Sequence, residues 1–420
     1  MTKPYSVLMG KAVRYIARLR GGGSALPGLF VEKIDRTFVP DTLSQLRLGV
    51  VLVSGTNGKT TTTKMVVELL ESQGLHVFTN RTGSNFSRGV AAALLSEVDN
   101  RGKLDADIAV LELDEAHAVH FVDQIPPRYS LLLNVMRDQL DRFGEIDTTA
   151  GMLAHIAKAT LETVVVNRED PRLLKVASTL DGHVEFFGLD ESLRALFPSD
   201  DDLHGKSKTN VTLPKADVVL SELGDKATFV IDNKIVKTPL KLQGVYNVFN
   251  AAAALALTRA IMGDRLDQEK LIQQLANVTP AFGRGERIVV DGQPCELVLV
   301  KNPSGFRLSL GSFDPAGTAT MIAINDNYAD GRDMSWLWDV DFSSLQSGVA
   351  EITGSRAYDM ALRLQYDEVA IGNVNVDLGK SLQHFLSTHS ATPKRIYCTY
   401  TAMLSLRREL AKIATVEEVL

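Results

Sequence analysis

Cysteine is scarce in this sequence, and an excess of charge of one sign is missing. The 420 residues contain two cysteines, Cys295 and Cys398, and no CxxC pair, which excludes a disulfide framework and indicates a reducing compartment. The net charge of −6 argues against a general nucleic-acid-binding protein, because such proteins are usually basic. No apolar run is long enough to predict a transmembrane helix, and the N-terminus lacks the apolar segment of a secretory signal. We therefore expect a cytoplasmic protein that does not span a membrane.

The first twenty residues predict a short basic amphipathic helix. No acidic residue occurs before Glu32, and the segment carries five basic residues: Lys3, Lys11, Arg14, Arg18 and Arg20. Apolar residues recur at helical spacing: Leu8, Ala12, Ile16 and Leu19. Two interpretations remain open: the helix packs on its own domain, or it contacts a membrane surface.

From residue 49 onward, short apolar strands alternate with helical segments. The strands include GVVLVS (49–54), DIAVLELD (107–114) and TVVVN (163–167). Continuous apolar strands between helices predict a parallel sheet that is covered on both faces. Alternating residues in 215–237 predict a β-hairpin that turns at Asp232-Asn233.

The alternation of strands and helices restarts after AFGRGERI (281–288). The remainder is about the size of a small domain. We therefore expect an α/β protein with two domains: residues 1–287, containing the N-terminal helix and a mostly parallel sheet, and residues 288–420, forming a second, Rossmann-like α/β domain.

A glycine-bracketed loop follows the first strand and resembles a Walker A phosphate-binding loop. It departs from that pattern because the residue five positions before Gly58 is Val53. Backbone N–H groups of such a loop hold phosphates, Lys59 is expected to reach the β- and γ-phosphate oxygens, and the Thr60 hydroxyl is expected to bind Mg²⁺. The alternative is a plain turn with a solvated lysine. The predicted nucleotide contacts are Gly55, Thr56, Asn57, Gly58, Lys59, Thr60 and Thr61.

Carboxylates are predicted at the same edge of the sheet. Glu112 and Asp114 end the strand DIAVLELD, and Asn134, Asp138 and Asp141 follow the next one. Because the carboxyl ends of parallel strands share one edge, Glu112 is expected to hold Mg²⁺ together with Thr60. The alternative is a polar strand end without a ligand.

Five motifs in one order resemble the Mur ligase superfamily: GTNGKTTT, a strand ending in Glu-x-Asp-Glu, LNVxxDxxDR, VNxxDP and GxxNxxNAAAAL. The resemblance covers about residues 46–288. It implies ATP-dependent activation of a carboxylate as an acyl phosphate, which an amine then attacks. It also implies nucleotide contacts from Asn134, Asn167, Asp170 and Asn247, and a catalytic phosphate contact from Arg284.

Two departures set the chain apart from amino-acid-adding members of that superfamily. Gln139 stands where those ligases usually have a histidine that helps to hold a second Mg²⁺. Their carbamylated lysine also lacks a counterpart, since the nearest lysine, Lys158, is displaced. Whether a second Mg²⁺ binds is left open.

The C-terminal motifs resemble the Mur-ligase-like subunits of lipid II isoglutaminyl synthase. The matching segments are KNPSGFRLSL (301–310), INDNYADGRDMSWLWDVDF (324–342) and GSRAYDMALRL (354–364). The resemblance implies activation of the α-carboxylate of D-glutamate in the lipid II stem peptide, which ammonia converts to D-isoglutamine. A partner resembling class I glutaminases supplies the ammonia and takes the acidic member of its Cys-His-Asp triad from this subunit. Lipid II also implies a position at the inner face of the plasma membrane.

The segment 326–339 contains four aspartates beside Trp336 and Trp338, the two tryptophans of the chain. We favour Asp330, and then Asp333, as the catalytic carboxylate that orients the partner's histidine. The alternative for each aspartate is an ordinary turn that the tryptophans anchor.

Many members of that family carry a four-cysteine zinc ribbon, and the corresponding region 190–215 contains no cysteine. No structural zinc site is expected, and His204 is interpreted as a surface residue. The competing functions are an amino-acid-adding ligase of the Mur or folylpolyglutamate type and a non-catalytic nucleotide-binding scaffold.

Overall fold

The computed structural model of the chain describes residues 3–19, 26–80, 87–138, 146–197, 212–242, 244–279 and 284–416. Its contacts divide the chain into two units. The first comprises Met1–Val135, Asp147–Lys241 and Asn247–Val278, and the second comprises Met136–Ile146, Leu242–Tyr246 and Thr279–Leu420. The main division thus falls between Val278 and Thr279, whereas the sequence places it after residue 287.

The helices and strands are numbered along the chain. The helices are α1 (Pro4–Leu19), α2 (Leu26–Ile34), α3 (Phe38–Leu43), α4 (Lys59–Ser72), α5 (Ser87–Glu97), α6 (Glu115–Val122), α7 (Ile146–Ala159), α8 (Pro171–Ala177), α9 (Val245–Met262), α10 (Gln268–Asn277), α11 (Pro303–Ser312), α12 (Ala357–Tyr366), α13 (Leu378–Thr388) and α14 (Tyr400–Leu410). The strands are β1 (Val50–Ser54), β2 (Val77–Thr79), β3 (Ile108–Glu112), β4 (Tyr129–Leu132), β5 (Thr163–Asn167), β6 (His183–Leu189), β7 (Val218–Glu222), β8 (Ala227–Ile231), β9 (Lys234–Thr238), β10 (Arg284–Val290), β11 (Gln293–Leu299), β12 (Ala319–Ala323), β13 (Val349–Thr353), β14 (Ile371–Asn375) and β15 (Lys394–Cys398). Short 3₁₀ helices span Glu191–Leu196, Gly263–Arg265, Ser335–Asp339 and Ser343–Leu345.

Within the described residues, the first unit contains one sheet with the strand order β2-β3-β1-β4-β5-β6-β7-β8-β9. Neighbouring strands from β2 to β7 run parallel, as their continuous apolar sequences predict. Every residue of β1, β3, β4 and β5 is buried. The predicted α/β class with a mostly parallel sheet is confirmed.

The predicted hairpin is also confirmed. Strands β8 and β9 pair in antiparallel register, from Ile231 opposite Lys234 to Ala227 opposite Thr238. The two residues between them, Asp232 and Asn233, have φ angles of 49° and 65°. A two-residue turn of this kind needs positive φ at both positions, which Asp and Asn tolerate.

Helix α9 is the apolar helix that the sequence predicts near residues 247–263. In the part of the chain that the structure describes, it is the one helix whose length and composition would suffice to cross a membrane. Most of this stretch is buried inside the protein, with Ala251 to Leu257 fully buried. The buried core helix of a globular domain has the same composition, so this finding is weak support for a membrane span.

The second unit contains a sheet with the order β10-β11-β15-β12-β13-β14 among its described strands. The pair β10–β11 is antiparallel and the other pairs are parallel, which matches the expected Rossmann-like α/β arrangement. Strand β10 spans residue 287 and pairs with β11, which explains why the division lies earlier than expected. Both cysteines are buried in one core cluster of this unit.

Candidate nucleotide site and acid loop

The predicted phosphate loop lies at the carboxyl edge of the first sheet. Strand β1, which precedes it, pairs with β3 on one side and β4 on the other. The connection that follows β1 leads to β2 on one side of it, whereas the connection that follows the neighbouring strand β4 leads to β5 on the other side. Ligands of open α/β sheets bind at such a switch point, outside the carboxyl ends of the strands.

Two glycines give the loop its shape. Gly55 and Gly58 have φ angles of 129° and 89°, a region that side chains rarely adopt, and Gly58 directly precedes α4. A Cβ atom on Gly58 would lie 2.7 Å from Oδ1 of Asn250, and one on Gly55 would lie 3.0 Å from the backbone nitrogen of Asn134. The backbone therefore approaches its surroundings more closely than any other residue type would allow. The amino end of α4 that follows favours an anion.

Lys59 begins α4 and is buried. Its Nζ atom donates to the carbonyl oxygen of Gly55 at 2.5 Å and lies 3.3 Å from both carboxylate oxygens of Glu115, which is buried as well. The carboxylate compensates the buried ammonium charge, which would otherwise carry a large desolvation cost. The pairing fixes Lys59 against its own loop and contradicts the alternative of a solvated lysine.

Thr60 and Glu112, the two predicted Mg²⁺ ligands, contact each other, and their binding of Mg²⁺ stays a prediction. The Thr60 hydroxyl donates to Oε1 of Glu112 at 2.8 Å. Glu112 ends β3, and Asn80 fixes its backbone by donating to its carbonyl oxygen at 2.8 Å and accepting from its N–H at 3.0 Å. Asp114 differs from the expectation that it ends the strand: it caps α6 and accepts from the N–H of Ala116.

Asn134 holds the loop from the end of β4. Its Oδ1 accepts from the N–H of Asn57 at 2.9 Å, and its Nδ2 donates to the carbonyl oxygen of the same residue at 3.0 Å. The backbone N–H of Thr56 donates to the carbonyl oxygen of Asn134 at 3.0 Å. This geometry positions the loop, and a direct nucleotide contact by Asn134 stays a prediction.

Asn167 and Asp170 are buried and tie strand ends together. Asn167 donates to the carbonyl oxygen of Leu133 at 2.9 Å. Asp170 caps α8 and also accepts from the N–H of Val135 at 2.6 Å. Burial raises the pKa of the Asp170 carboxyl to about 6, against the opposing effect of three backbone hydrogen bonds. The nucleotide contacts implied for these two residues stay predictions, since their polar atoms bind the backbone.

The remaining predicted residues are placed less completely. Asn247 lies in the first turn of α9 and is partly buried. The backbone of Arg284 begins β10, and its side chain lies outside the description. Gln139, Asp141 and His204 also lie outside the described residues, whereas Asp138 pairs with Lys301 at 3.6 Å within the second unit.

In the second unit, Asp330 is 2% exposed and is held by the start of α14. Its Oδ1 accepts from the backbone N–H of Thr401 at 2.7 Å, and its Oδ2 accepts from the Thr401 hydroxyl at 2.5 Å. Oδ2 also accepts from the N–H of Asn327 at 3.1 Å. Burial raises the pKa of the Asp330 carboxyl, although the bonds from Thr401 act in the opposite direction.

The second candidate, Asp333, is exposed and lies two residues before the first residue of the next 3₁₀ helix. It accepts from the N–H of Ser335 at 2.9 Å, and hydrogen bonds from Ser335 lower the pKa of its carboxyl. Trp336 is buried in the core of the unit, whereas Trp338 is half-exposed and packs edge-on against Tyr366 at 5.1 Å between ring centroids. One tryptophan therefore anchors this segment and the other belongs to its surface.

Four side chains of the phosphate loop and the acid loop have no role predicted from the sequence: Asn80, Glu115, Asn250 and Thr401. Glu115 and Asn250 occur within the quoted motifs, as the last residue of Glu-x-Asp-Glu and the second asparagine of GxxNxxN. Asn80 ends the apolar strand segment HVFTN, and nothing in the sequence connects Thr401 with Asp330. No cluster of three or more His, Cys, Asp or Glu side chains that could hold a metal ion occurs within the described ranges.

Comparison with known proteins matches two families to separate parts of the chain. The Mur ligase middle domain family matches residues 53–258, and the MurT ligase C-terminal family matches residues 299–403. A crystal structure of MurF ligase from Thermotoga maritima in complex with ADP superimposes with a TM-score of 0.67 and 19% identity, covering 90% of this chain and 84% of that one. The fold and the phosphate loop thus define a protein of the Mur ligase class.

Full-length relatives define the family within that class. The subunit MurT of lipid II isoglutaminyl synthase (glutamine-hydrolyzing) from Streptococcus pneumoniae is 32% identical over 96% of both chains. The subunit of the same name from Staphylococcus aureus strain COL is 28% identical over 87% of this chain and 88% of that protein. The chain belongs to the MurT family of Mur-ligase-like subunits.

Proposed function

We propose that this chain is the ATP-dependent ligase subunit of a lipid II isoglutaminyl synthase. It converts the α-carboxylate of D-glutamate in the lipid II stem peptide into the carboxamide of D-isoglutamine, using ammonia from a glutaminase subunit. Support comes from membership of the MurT family over nearly the whole chain. The observation that carries the proposal is the loop in which buried Lys59 and the Thr60–Glu112 pair meet at one sheet edge.

The phosphate loop suits the triphosphate of ATP. Gly55 and Gly58 take positive φ angles that side chains rarely adopt, and the loop they shape leads directly into the amino end of α4, where backbone N–H groups favour an anion. The Thr60 hydroxyl and the Glu112 carboxylate are hard oxygen donors of the kind that Mg²⁺ prefers, and they lie within hydrogen-bond distance of each other. When bound, Mg²⁺ would neutralise charge on the phosphate oxygens.

The reaction that these residues support has two steps. In the first, a carboxylate oxygen of the substrate takes the γ-phosphoryl group of ATP, so that ADP leaves and an acyl phosphate forms. In the second, ammonia attacks the carbonyl carbon, inorganic phosphate leaves with that oxygen, and the ammonium proton is lost to solvent. Lys59, and Arg284 by resemblance to the superfamily, would stabilise charge on the transferred phosphoryl group.

The acid loop of the second unit suits the proposed glutaminase partner. Asp330 is held by Thr401, as the acidic member of a triad must be held to orient a histidine. Asp333 is exposed and is the second choice for this role. Aromatic side chains are common at protein interfaces, and three exposed ones lie near this loop: Trp338, Tyr366, which packs edge-on against Trp338, and Tyr358 on the same helix as Tyr366, α12.

The proposed site of action is the cytoplasmic face of the plasma membrane, where a lipid-linked substrate would be met. The two cysteines are free and buried, as suits a reducing compartment. Ammonia competes with water for an acyl phosphate, which favours a docked glutaminase over a diffusing source.

Amidation with free ammonium tests the proposal. The purified chain receives ATP, Mg²⁺, ammonium and detergent-dispersed lipid II, and mass spectrometry detects conversion of a carboxylic acid into a carboxamide. We expect product with the wild type and none with Lys59→Ala. Ligation of an added amino acid instead of ammonia would assign the chain to the amino-acid-adding ligases. A lack of turnover with and without the glutaminase would contradict the proposal.

A further inference from the structure

Helix α1 packs on the first unit through a narrow face. Val7 is fully buried, and a Cβ atom on Gly10 would lie 2.3 Å from Cγ2 of Val31 in α2 and 2.9 Å from Cδ1 of Leu95 in α5. The helix is also tied by polar bonds, because Lys11 donates to the carbonyl oxygen of Val98 at 2.7 Å. The orientation of α1 on its unit is therefore fixed.

The opposite face of α1 is apolar and exposed. Its large side chains are between 47% and 67% exposed. At about 100° per residue, these positions form a stripe roughly 120° wide, opposite the packed face. We call it the α1 stripe, and its residues are Tyr5, Leu8, Met9, Ala12, Tyr15 and Ile16.

The helix packs on its own unit, as one of the two sequence interpretations expects, but it does so through a different face. Helical spacing at Leu8, Ala12 and Ile16 predicts an apolar face, and packing on the domain was one expected use of it. The helix does pack on its own unit, but it uses Val7 and Gly10, so the predicted apolar face is left outward. A contiguous exposed apolar patch of this kind indicates an interaction surface.

The charge of the N-terminal segment indicates which kind of surface the α1 stripe binds. Residues 1–31 contain five basic residues and no acidic one, whereas the whole chain has a net charge of −6. One of the five, Lys3, pairs with Asp35, which follows α2, at 3.5 Å, and Lys11 donates to the neutral oxygen atoms of Val98 and Asn100, so the segment keeps an excess of positive charge. Apolar side chains next to clustered positive charge are typical of helices that lie in the interface of an anionic membrane. Tyr5 and Tyr15 add rings with a polar end, which suit the depth of lipid headgroups.

We propose that the α1 stripe binds the surface of an anionic lipid bilayer. The stripe would insert between headgroups, and the basic residues of the segment would attract acidic lipids. The proposal deepens the proposed function, on which it rests for its biological purpose: a lipid-linked substrate is presented at the surface to which the first unit is held.

Vesicle flotation tests the stripe directly. The full chain in complex with its glutaminase is mixed with vesicles of phosphatidylglycerol and phosphatidylethanolamine, or with vesicles of phosphatidylcholine alone. We expect flotation with the anionic vesicles, several-fold weaker flotation with the neutral ones, and a decrease as salt is raised. In the double variant Leu8→Glu/Ile16→Glu the partition coefficient should fall at least about tenfold.

The control places one glutamate at another exposed apolar side chain of the first unit. Ile235 on β9 is 71% exposed, and Ile235→Glu should float like the wild type. Circular dichroism and gel filtration check that all variants fold and keep the glutaminase. Absence of flotation of the wild type would overturn the proposal, as would equal loss with Ile235→Glu. Loss of the glutaminase in the double variant would reassign the stripe to a protein interface.

A comparison of lipid II in detergent with lipid II in vesicles distinguishes failure of the membrane proposal from failure of the proposed function. The double variant should amidate detergent-dispersed lipid II at the wild-type rate, and lipid II embedded in anionic vesicles at least about fivefold more slowly. Equal rates of both proteins on embedded substrate would overturn the membrane role while leaving the ligase function in place. Wild-type flotation without amidation of either substrate would overturn the ligase function while leaving the stripe in place.

Discussion

The phosphate loop of the first unit and the acid loop of the second unit arrange their charges in different ways. Lys59 is buried with Glu115, within 3.3 Å of both carboxylate oxygens, so its charge is compensated inside the unit. Asp330 is also buried, and Thr401 and Asn327 hold it through neutral donors.

The difference indicates two kinds of task. A buried lysine that is paired with a carboxylate, in a tight loop bounded by glycines, suits a small phosphate-bearing ligand. Such a ligand carries its own negative charge and binds together with Mg²⁺. A carboxylate held by neutral donors beside exposed aromatic side chains suits a group that completes a site on another protein.

Lys59→Ala should lower the rate of amidation at least about 100-fold, both with ammonium and with glutamine. The reason is that the lysine no longer stabilises the charge on the transferred phosphoryl group. The substitution also leaves Glu115 buried without its partner, which costs about 3–5 kcal/mol of stability. Adding Glu115→Gln to Lys59→Ala should recover much of the stability and none of the activity. Recovery of activity in that double variant would mean that Lys59 serves only the fold. Amidation rates measure the loss of activity, and urea unfolding measures the loss of stability.

Asp330→Asn should separate the two sources of nitrogen. Glutamine-driven amidation should fall by at least about 100-fold, because an amide cannot stabilise the charged histidine of the partner. Ammonium-driven amidation should stay within about twofold, because the phosphate loop is unchanged. Asp333→Asn is the matched control and should have the smaller effect. A larger effect at Asp333 would transfer the role to that residue.

Asn134→Ala should weaken nucleotide binding and leave the rate of the chemical step nearly unchanged. The side chain makes two hydrogen bonds to the backbone of Asn57, and their loss loosens the loop. We expect KM for ATP to rise about tenfold with a change in kcat below about threefold, since positioning is lost and the reacting groups remain. A fall in kcat alone would argue for a direct contact with the transferred phosphoryl group.

The raised pKa of Asp170 predicts that the stability of the fold depends slightly on pH. Its pKa in the folded chain is raised from 3.8 to about 6, so the folded chain binds a proton that the unfolded chain releases. This contribution is present below pH 4 and is lost as pH rises through 6. The unfolding free energy of the wild type relative to Asp170→Asn should therefore be about 1 kcal/mol larger at pH 5 than at pH 7.5. An equal difference at both pH values would show that Asp170 is not protonated in the fold.

Sequence analysis could predict the features that rest on local patterns. Continuous apolar runs identify β1, β3, β4 and β5, because strands buried on both faces need no polar side chain. The glycine pattern identifies the phosphate loop for a similar reason, since positive φ at Gly55 and Gly58 excludes other residues.

Features that depend on contacts between distant residues could not be predicted in this way. Glu115 is 56 residues from Lys59, and Thr401 is 71 residues from Asp330. Asn167 and Asp170 are nucleotide contacts by resemblance, and the sequence does not show that their side chains bind the backbone of the segment that follows β4. Helix α1 shows the same limit, because the small residue Gly10 decides which face packs.

The central claim is that the first unit activates a carboxylate as an acyl phosphate. Lipid II that carries oxygen-18 in the α-carboxylate of its D-glutamate tests this claim directly, with mass spectrometry of the released phosphate. Our account predicts that the complex transfers one labelled oxygen from each amidated carboxylate to inorganic phosphate. Unlabelled phosphate, or the label in AMP, would contradict it, because the carboxylate oxygen would then not have accepted the γ-phosphoryl group.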